Sequence, residues 1–376
     1  MFETLSYIIL QQYWWIIASL LGALLVFLMF VQGGLTLLNV IGRTEEQKTM
    51  LVNSLGRKWE LTFTTLVTFG GAMFAAFPKF YSVSFGGAYW VWIGILFCFS
   101  LQAVSYEFRR KKGNFLGPRT YEAFLYINGS LGVFLIGTAV GTFFTGSEFS
   151  VDANNHVHWQ TALRGLEAVF NIQNVLLGFV VFFLARILGS MYFMNNISDD
   201  TVFENSRKMV RFNAIPFLAV FIAFAVMLLF SDGFSFDPQS KVVTVESYKY
   251  LNNFLAMPVV LIIFLIGVIL VLWGIFISWF KKSKKGIWFS GLGTVLTVFS
   301  LFIIAGFNHT SFYPSTYDLQ SSLTIENSSS SQYTLTVMSY VSLTVPFVLA
   351  YIYFVWKALD KKKIDLTEMK DSENSY

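Results

Sequence analysis

NSLGRKWELTFTTLVTFGGAMFAAFP, residues 53–78, is the stretch whose reading decides the fold. Two cations, Arg57 and Lys58, precede Trp59 and an acid, Glu60, and the chain then runs uncharged from Leu61 to Pro78 with Gly70 and Gly71 in its middle. Lys and Arg hold the cytoplasmic margin of a membrane helix, and Trp favours the headgroup level. A glutamate this close to the hydrocarbon boundary is costly, and its presence points to function.

The whole chain has the composition of such a helix. Its 376 residues are 55% hydrophobic and 13% charged, with 42 phenylalanines, and the mean hydropathy is +0.60. These values exclude a soluble domain and indicate an integral membrane protein. The single cysteine, Cys98, lies inside an apolar run, which excludes a disulfide framework or a thiolate metal site and leaves a small core hydrophobe. At the amino terminus Glu3 stands where a signal peptide would be basic, and no charge follows until Arg43, a run too long for an h-region. It reads as a retained first helix over 13–38, with Trp14 and Trp15 as outer anchors.

Since about 20 apolar residues cross a bilayer, the remaining runs predict helices over 61–78, 87–104, 123–145, 168–188, 212–230, 251–280, 287–307 and 335–356. The expectation is an all-α membrane protein of nine transmembrane helices forming one integral domain, 1–376. The longer connections, about 146–167, 231–250 and 308–334, are caps over helix ends, and 360–376 is a polar, charged, disordered tail. Of the 26 lysines and arginines, only Lys79, Arg164, Lys241 and Lys249 fall in one set of loops and Arg186 within a span; all the others fall in the alternate set or the tail. That bias predicts an outside amino terminus and a cytoplasmic tail.

Haem in a membrane bundle needs axial ligands inside helices. The histidines here are His156 and His158 in an outside loop and His309 just past a helix end, so the chain is expected to carry no haem or metal of its own. His156-x-His158 reads as a solvated pair. No P-loop, dinucleotide fingerprint or nucleophile elbow occurs in a usable context, and no nucleic-acid partner is expected. What remains is a polar set near the cytoplasmic face: Gln32 near the inner end of the first helix, Glu60 opening the second and Glu107 closing the third. Carboxylates here pass protons if burial raises their pKa. The alternatives stay open: Glu107 in an ion pair with the cations from Arg109 to Lys112, Glu60 as partner of Arg57 or Lys58, and Gln32 bonded to a neighbouring helix. Arg164 and Glu167 have the spacing of a surface ion pair, and Arg186 that of a snorkelling cation.

Trp59-Glu60, the hydroxyl-rich turn after them and Gly70 to Pro78 resemble subunit II of cytochrome bd-type quinol oxidases. Tyr313-Pro314-Ser315 and the block from Ser322 to Leu335 carry a second likeness, so the resemblance spans nearly the whole chain. It implies two four-helix bundles plus a peripheral helix in a bacterial inner membrane. It also implies a partner, subunit I, that binds haems b and d, oxidises quinol and reduces oxygen, with this chain as scaffold and as part of a proton path through Glu60, Glu107 and Gln32. The resemblance further admits a structural quinone or lipid contact near Trp59 and small single-helix subunits. The family's first helix carries D-G-F-D-x-G where this chain has Gln32-Gly33-Gly34-Leu35, and the arginine and proline that stand before Val104-x-x-Glu107-x-Arg109 in the family are Gln102 and Ala103 here. A secondary transporter is the competing reading, but no matched pair of broken helices supports it. A purely structural subunit is the third.

Overall fold

The computed structural model describes residues 2–111 and 113–365; Lys112 and the segment 366–376, with Lys370 and most of the expected tail, lie outside the described residues. Eight helices among the described residues are long and apolar enough to cross a membrane. They are α1 (Tyr7–Leu35), α4 (Tyr89–Phe108), α5 (Pro118–Thr145), α6 (Ile172–Asn196), α7 (Asp200–Phe230), α8 (Pro258–Trp279), α9 (Gly286–Gly306) and α10 (Gln332–Leu359). Between the first two lie α2 (Glu45–Gly56) and α3 (Trp59–Ala76). α3 has 18 residues, and Glu60, Thr62, Thr64, Thr65 and Thr68 dilute its apolar character.

The helices begin and end beyond the apolar runs because capping, and not hydropathy, sets helix ends. α7 starts twelve residues before the apolar run at Phe212, where the Asp199 carboxylate accepts from the Val202 amide at 2.8 Å. α2 was absent from the expectation: it is not apolar, and it forms where the Thr44 hydroxyl caps the Gln47 amide with Glu45 and Glu46 in the first turn. The expected helix 251–280 is two, a short one over Lys249–Ala256 and then α8, with Pro258 at the break. The longer connections are more than caps of coil. Strands β1 (Phe149–Val151) and β2 (Val157–Trp159) pair antiparallel, as do β3 (Gly233–Phe236) and β4 (Val243–Glu246).

Trp14 and Trp15, expected as interfacial anchors, are buried instead. Trp15 donates from Nε1 to the Phe302 carbonyl at 3.0 Å, and Trp14 donates to Ser339 Oγ at 3.0 Å, so each indole ties α1 to another span. A buried indole N–H needs such a partner.

α6 lies at the centre, packed on α5, α7 and the Phe30–Leu35 end of α1, while α8 pairs with α9. Without a hydrophobic drive between helices in lipid, close approach of small residues supplies the packing. A Cβ on Gly33 would lie 2.1 Å from the Ala185 carbonyl carbon, and one on Gly293 2.5 Å from the Gly267 oxygen. The ends of the chain lie at opposite ends of α3. Tyr7 donates to the Ser330 carbonyl, and the Ser330 amide donates to that of Ala76; at the other end Lys58 pairs with Asp360. The chain after Asp360 is docked as far as it is described: Ile364 is fully buried, donates to the Asn196 carbonyl at 3.1 Å and accepts from the Ser198 amide at 2.9 Å.

Candidate functional site

Gln32 is fully buried in α1 and donates from Nε2 to Gln102 Oε1 on α4 at 3.2 Å. Asn128, also fully buried, stands at the start of a π-helical turn, Asn128–Gly132, inside α5. This turn packs against both helices: a Cβ on Gly129 would fall 2.2 Å from the Gln32 carbonyl oxygen, and one on Gly132 3.1 Å from Cys98 Cβ and 3.5 Å from Asn128 Nδ2. Asn128 therefore lies toward the α4 face that carries Cys98 and, one turn on, Gln102. Gln32 Oε1, Gln102 Nε2 and both amide atoms of Asn128 are buried with no protein partner among the described residues. Three buried amides with this much unfilled hydrogen-bonding capacity are the chemistry of a site that holds water, and π-turns recur at functional positions.

Glu60 and Glu107 point the other way. Trp59 stacks on Tyr106 with ring centroids 5.7 Å apart and planes at 25°, which holds the first turn of α3 against the last turn of α4. Both glutamates are on the outer surface of this chain. Glu107 forms an ion pair with Lys111, one turn away, with 59% of its side chain exposed. Lys58, one of the two cations available to Glu60, pairs with Asp360 instead. No hydrogen bond or ion pair joins Gln32 to either glutamate among the described residues. The indole Nε1 of Trp59 is buried and has no protein partner among them.

Two buried charge clusters at this same end escaped sequence reasoning. Lys58 is fully buried; its ammonium lies 3.0 Å from Asp360 Oδ1 and 5.1 Å from the centre of the Trp356 ring. Asn196 Nδ2 donates to the same carboxylate oxygen at 3.1 Å. Burial pushes the Lys58 ammonium below its ordinary pKa, against the pull of Asp360. Arg109, 3% exposed, donates to Glu122 Oε1 at 2.8 Å, and Lys48 lies 3.6 Å from the other oxygen of that carboxylate. No local pattern marks either pair, because each joins residues from separate elements.

At the opposite end His156 and His158 share Asp152, at 3.1 and 3.5 Å, on the exposed β1–β2 hairpin. Hydrogen bonds, first that from the His156 amide, hold the Asp152 carboxyl at a pKa of about 2. His309 lies between α9 and α10 with its ring edge-on to Phe236 at 5.5 Å. No histidine stands within a span, and no group of three or more His, Cys, Asp or Glu able to hold a metal occurs among the described residues; these residues do not fit a haem. An apolar cavity between α1, α6, α7, α8 and α9, lined by Val26, Leu184, Phe217, Val271 and Thr297 among others, has a volume of about 50 Å³. Ligand pockets run to roughly 300 Å³ and more, so it does not fit a quinone ring. Arg164 and Glu167 do not pair as their spacing suggested: Arg164 lies over the Tyr89 ring at 5.2 Å and Glu167 accepts from the Gly165 amide.

The chain matches the family model described as cytochrome bd terminal oxidase subunit II over residues 10–359. It is 27% identical over 372 residues to the cytochrome bd-I ubiquinol oxidase subunit 2 of Escherichia coli K12, covering 94% of this chain and 95% of the relative. It is 26% identical over 368 residues to the probable cytochrome oxidase subunit 2 of Haemophilus influenzae, 94% of each, and 27% over 344 residues to the cytochrome bd ubiquinol oxidase subunit 2 of Bacillus subtilis, 87% and 89%. In fold it is similar to a chain of the bd oxidase from Geobacillus thermodenitrificans, with a TM-score of 0.65 at 12% identity over 94% of this chain and 99% of that one. With a family match from the first span to the end of the last and relatives of equal length, the chain belongs to the cytochrome bd terminal oxidase subunit II family and is a multi-pass membrane subunit of a bacterial quinol:O2 oxidoreductase.

Proposed function

We propose that this chain scaffolds the haem-bearing subunit I through the outer face of α3, and that Glu60, with Glu107, admits protons toward that subunit from the cytoplasm. The observation that carries this reading is the exposed stripe Glu60, Thr64, Thr68 and Gly71, at helical spacing along α3. Val67 and Phe74 are exposed along the same face, and a Cβ on Gly71 would meet nothing within 4 Å. Small residues on an outward face of a membrane helix suit another helix better than lipid. A carboxylate at the head of that face is costly in hydrocarbon and supported beside protein or water.

In this reading haems b and d and the quinol-oxidising site belong to subunit I, the tail faces the cytoplasm, and the amino terminus lies outside. Gln32, Gln102 and Asn128 replace the family's first-helix acids as a neutral water-holding group behind the glutamates. They orient water and do not titrate. Trp59, stacked on Tyr106, sets the depth of Glu60, and the partly exposed edge of its ring is the contact for a lipid or quinone. Small single-helix subunits find room on the large apolar faces of the outer helices.

The test is Glu60→Gln in the assembled oxidase. It preserves size and hydrogen bonding but cannot carry a charge, so assembly and the haem spectrum stay unchanged while quinol oxidase turnover and proton uptake fall about tenfold. Glu60→Asp retains part of the rate. Unchanged turnover in Glu60→Gln would move the proton entry to Glu107 or to subunit I. Expressed alone, the chain is expected to show no haem absorbance; stoichiometric haem would refute the division of labour.

A further inference from the structure

We propose that Arg186 is the anchor of a binding site for one anionic phospholipid, held through its headgroup phosphate at the outer surface between α5 and α7. Arg186 stands ten residues inside the end of α6 at Asn196, about 15 Å along the axis at 1.5 Å per residue. An intramembrane arginine is expected to have a partner of opposite charge. None of the described carboxylates pairs with it. Its Nε donates to Asn213 Oδ1 at 2.8 Å, and fully buried Asn213 is itself fixed by donating from Nδ2 to the Met209 carbonyl at 2.7 Å. The guanidinium plane rests 5.3 Å from the Phe182 ring centre, and Tyr126 of α5 is its ionisable neighbour.

One nitrogen of the fork is thus used to aim it. The two terminal nitrogens have no partner among the described residues, and the side chain is partly exposed. A rigid fork with two adjacent donors matches two oxygens of a phosphate or carboxylate. The surroundings decide which. Tyr126, Phe179 and Phe212 are 50%, 40% and 65% exposed, and α7 continues outward with Ile215, Ile222, Val226 and Phe230, all exposed. Apart from Ala219, the exposed side chains along this face of α7 are large and apolar, which suits acyl chains. Lys208 lies exposed toward the headgroup end of the same helix without an ion pair among the described residues, while the Arg211 guanidinium rests 5.6 Å from the centre of the Trp279 ring on α8. A juxtamembrane cation such as Lys208 favours anionic lipid by about 1 kcal/mol. An acid on the partner subunit would need a protein face here, and the small-residue face lies on α3.

The experiment uses the assembled oxidase, delipidated stepwise in detergent and titrated with phosphatidylglycerol, with phosphatidylcholine of the same chains, or with inorganic phosphate, counting bound lipid by native mass spectrometry. The wild type is expected to keep one phosphatidylglycerol preferentially over phosphatidylcholine, and Arg186→Gln to bind that molecule about fivefold more weakly. Arg186→Lys, which keeps charge without the fork, falls between them. Equal retention in Arg186→Gln and wild type would overturn the proposal, and displacement by millimolar inorganic phosphate would make it a free-anion site. A photoreactive phosphatidylglycerol added to the wild-type oxidase gives a readout that needs no variant: labelling at Tyr126, Phe179 or Phe212 supports the site. Absence of label there, or a zero-length crosslink between a carboxylate of the partner subunit and the lysine side chain in Arg186→Lys, refutes it.

Discussion

Lys58 illustrates how one residue changes meaning once the chain is folded. Beside Arg57 it reads as a surface anchor, yet it is fully buried against Asp360 from the far end of the chain. Removing one partner from a buried pair leaves a bare charge, at a cost of about 3–5 kcal/mol. Asp360→Asn should therefore lower the unfolding temperature of the purified oxidase sharply, and Lys58→Met combined with Asp360→Leu should recover most of the loss. A double variant no better than the single one would show that the pair is not coupled. Asp152 offers a test of sign. Its carboxyl is held at about 2 against a usual 3.8, so what it adds to the hairpin is fully present above about pH 4 and is lost as pH falls through about 2. The amides of Asn154 and His156, which donate to it, should keep their exchange protection down to about pH 4 and lose it as pH falls through about 2. In Asp152→Asn that pH dependence should vanish.

Two glycines separate the inner and outer faces of the spans. Gly33→Ala places a methyl 2.1 Å from the backbone of Ala185, so α1 and α6 must move apart. Overpacking of this kind costs about 1–3 kcal/mol, visible as a lower melting temperature of the oxidase with its composition intact. Gly71→Leu is the opposite case, because nothing of this chain lies within 4 Å of the new Cβ. The chain itself should fold and insert normally while subunit I co-purifies poorly. Normal assembly of Gly71→Leu would place the partner on another face of the bundle and leave Glu60 facing lipid or water.

At the scale of the whole molecule, α3 acts as a ruler about 27 Å long. Its Ala76 end is tied to the amino-terminal region and to Ser330, and its Trp59 end adjoins the Lys58–Asp360 pair. Labelling of single cysteines in intact cells checks the proposed direction. Ser328 is buried, so the exposed neighbour Ser331 is the better outside site, and Lys361 serves as the inside one. A cysteine at 331 should react with an impermeant reagent and one at 361 only after permeabilisation. The reverse pattern would invert the orientation and move Glu60 to the outside.

The all-α membrane class, the sided cations and the family likeness were legible in the letters, because a bilayer imposes a length of apolar residues on each span and a charge bias on each loop, and both are local properties. Nine spans were expected, and eight helices among the described residues qualify, without α3. The short helix α2, the extension of α7 to Asp200 and the break at Pro258 depend on caps and turns that hydropathy averages away. Which way each helix faces was not legible, since apolar residues look alike toward lipid and toward protein. Only packing turned Gln32 inward onto Gln102 and left Glu60 and Glu107 outward. Lys58 with Asp360, Arg109 with Glu122 and Arg186 with Asn213 are likewise decisions of the tertiary structure. A buried charge must find its partner in space, and the chain holds those partners up to 302 residues away.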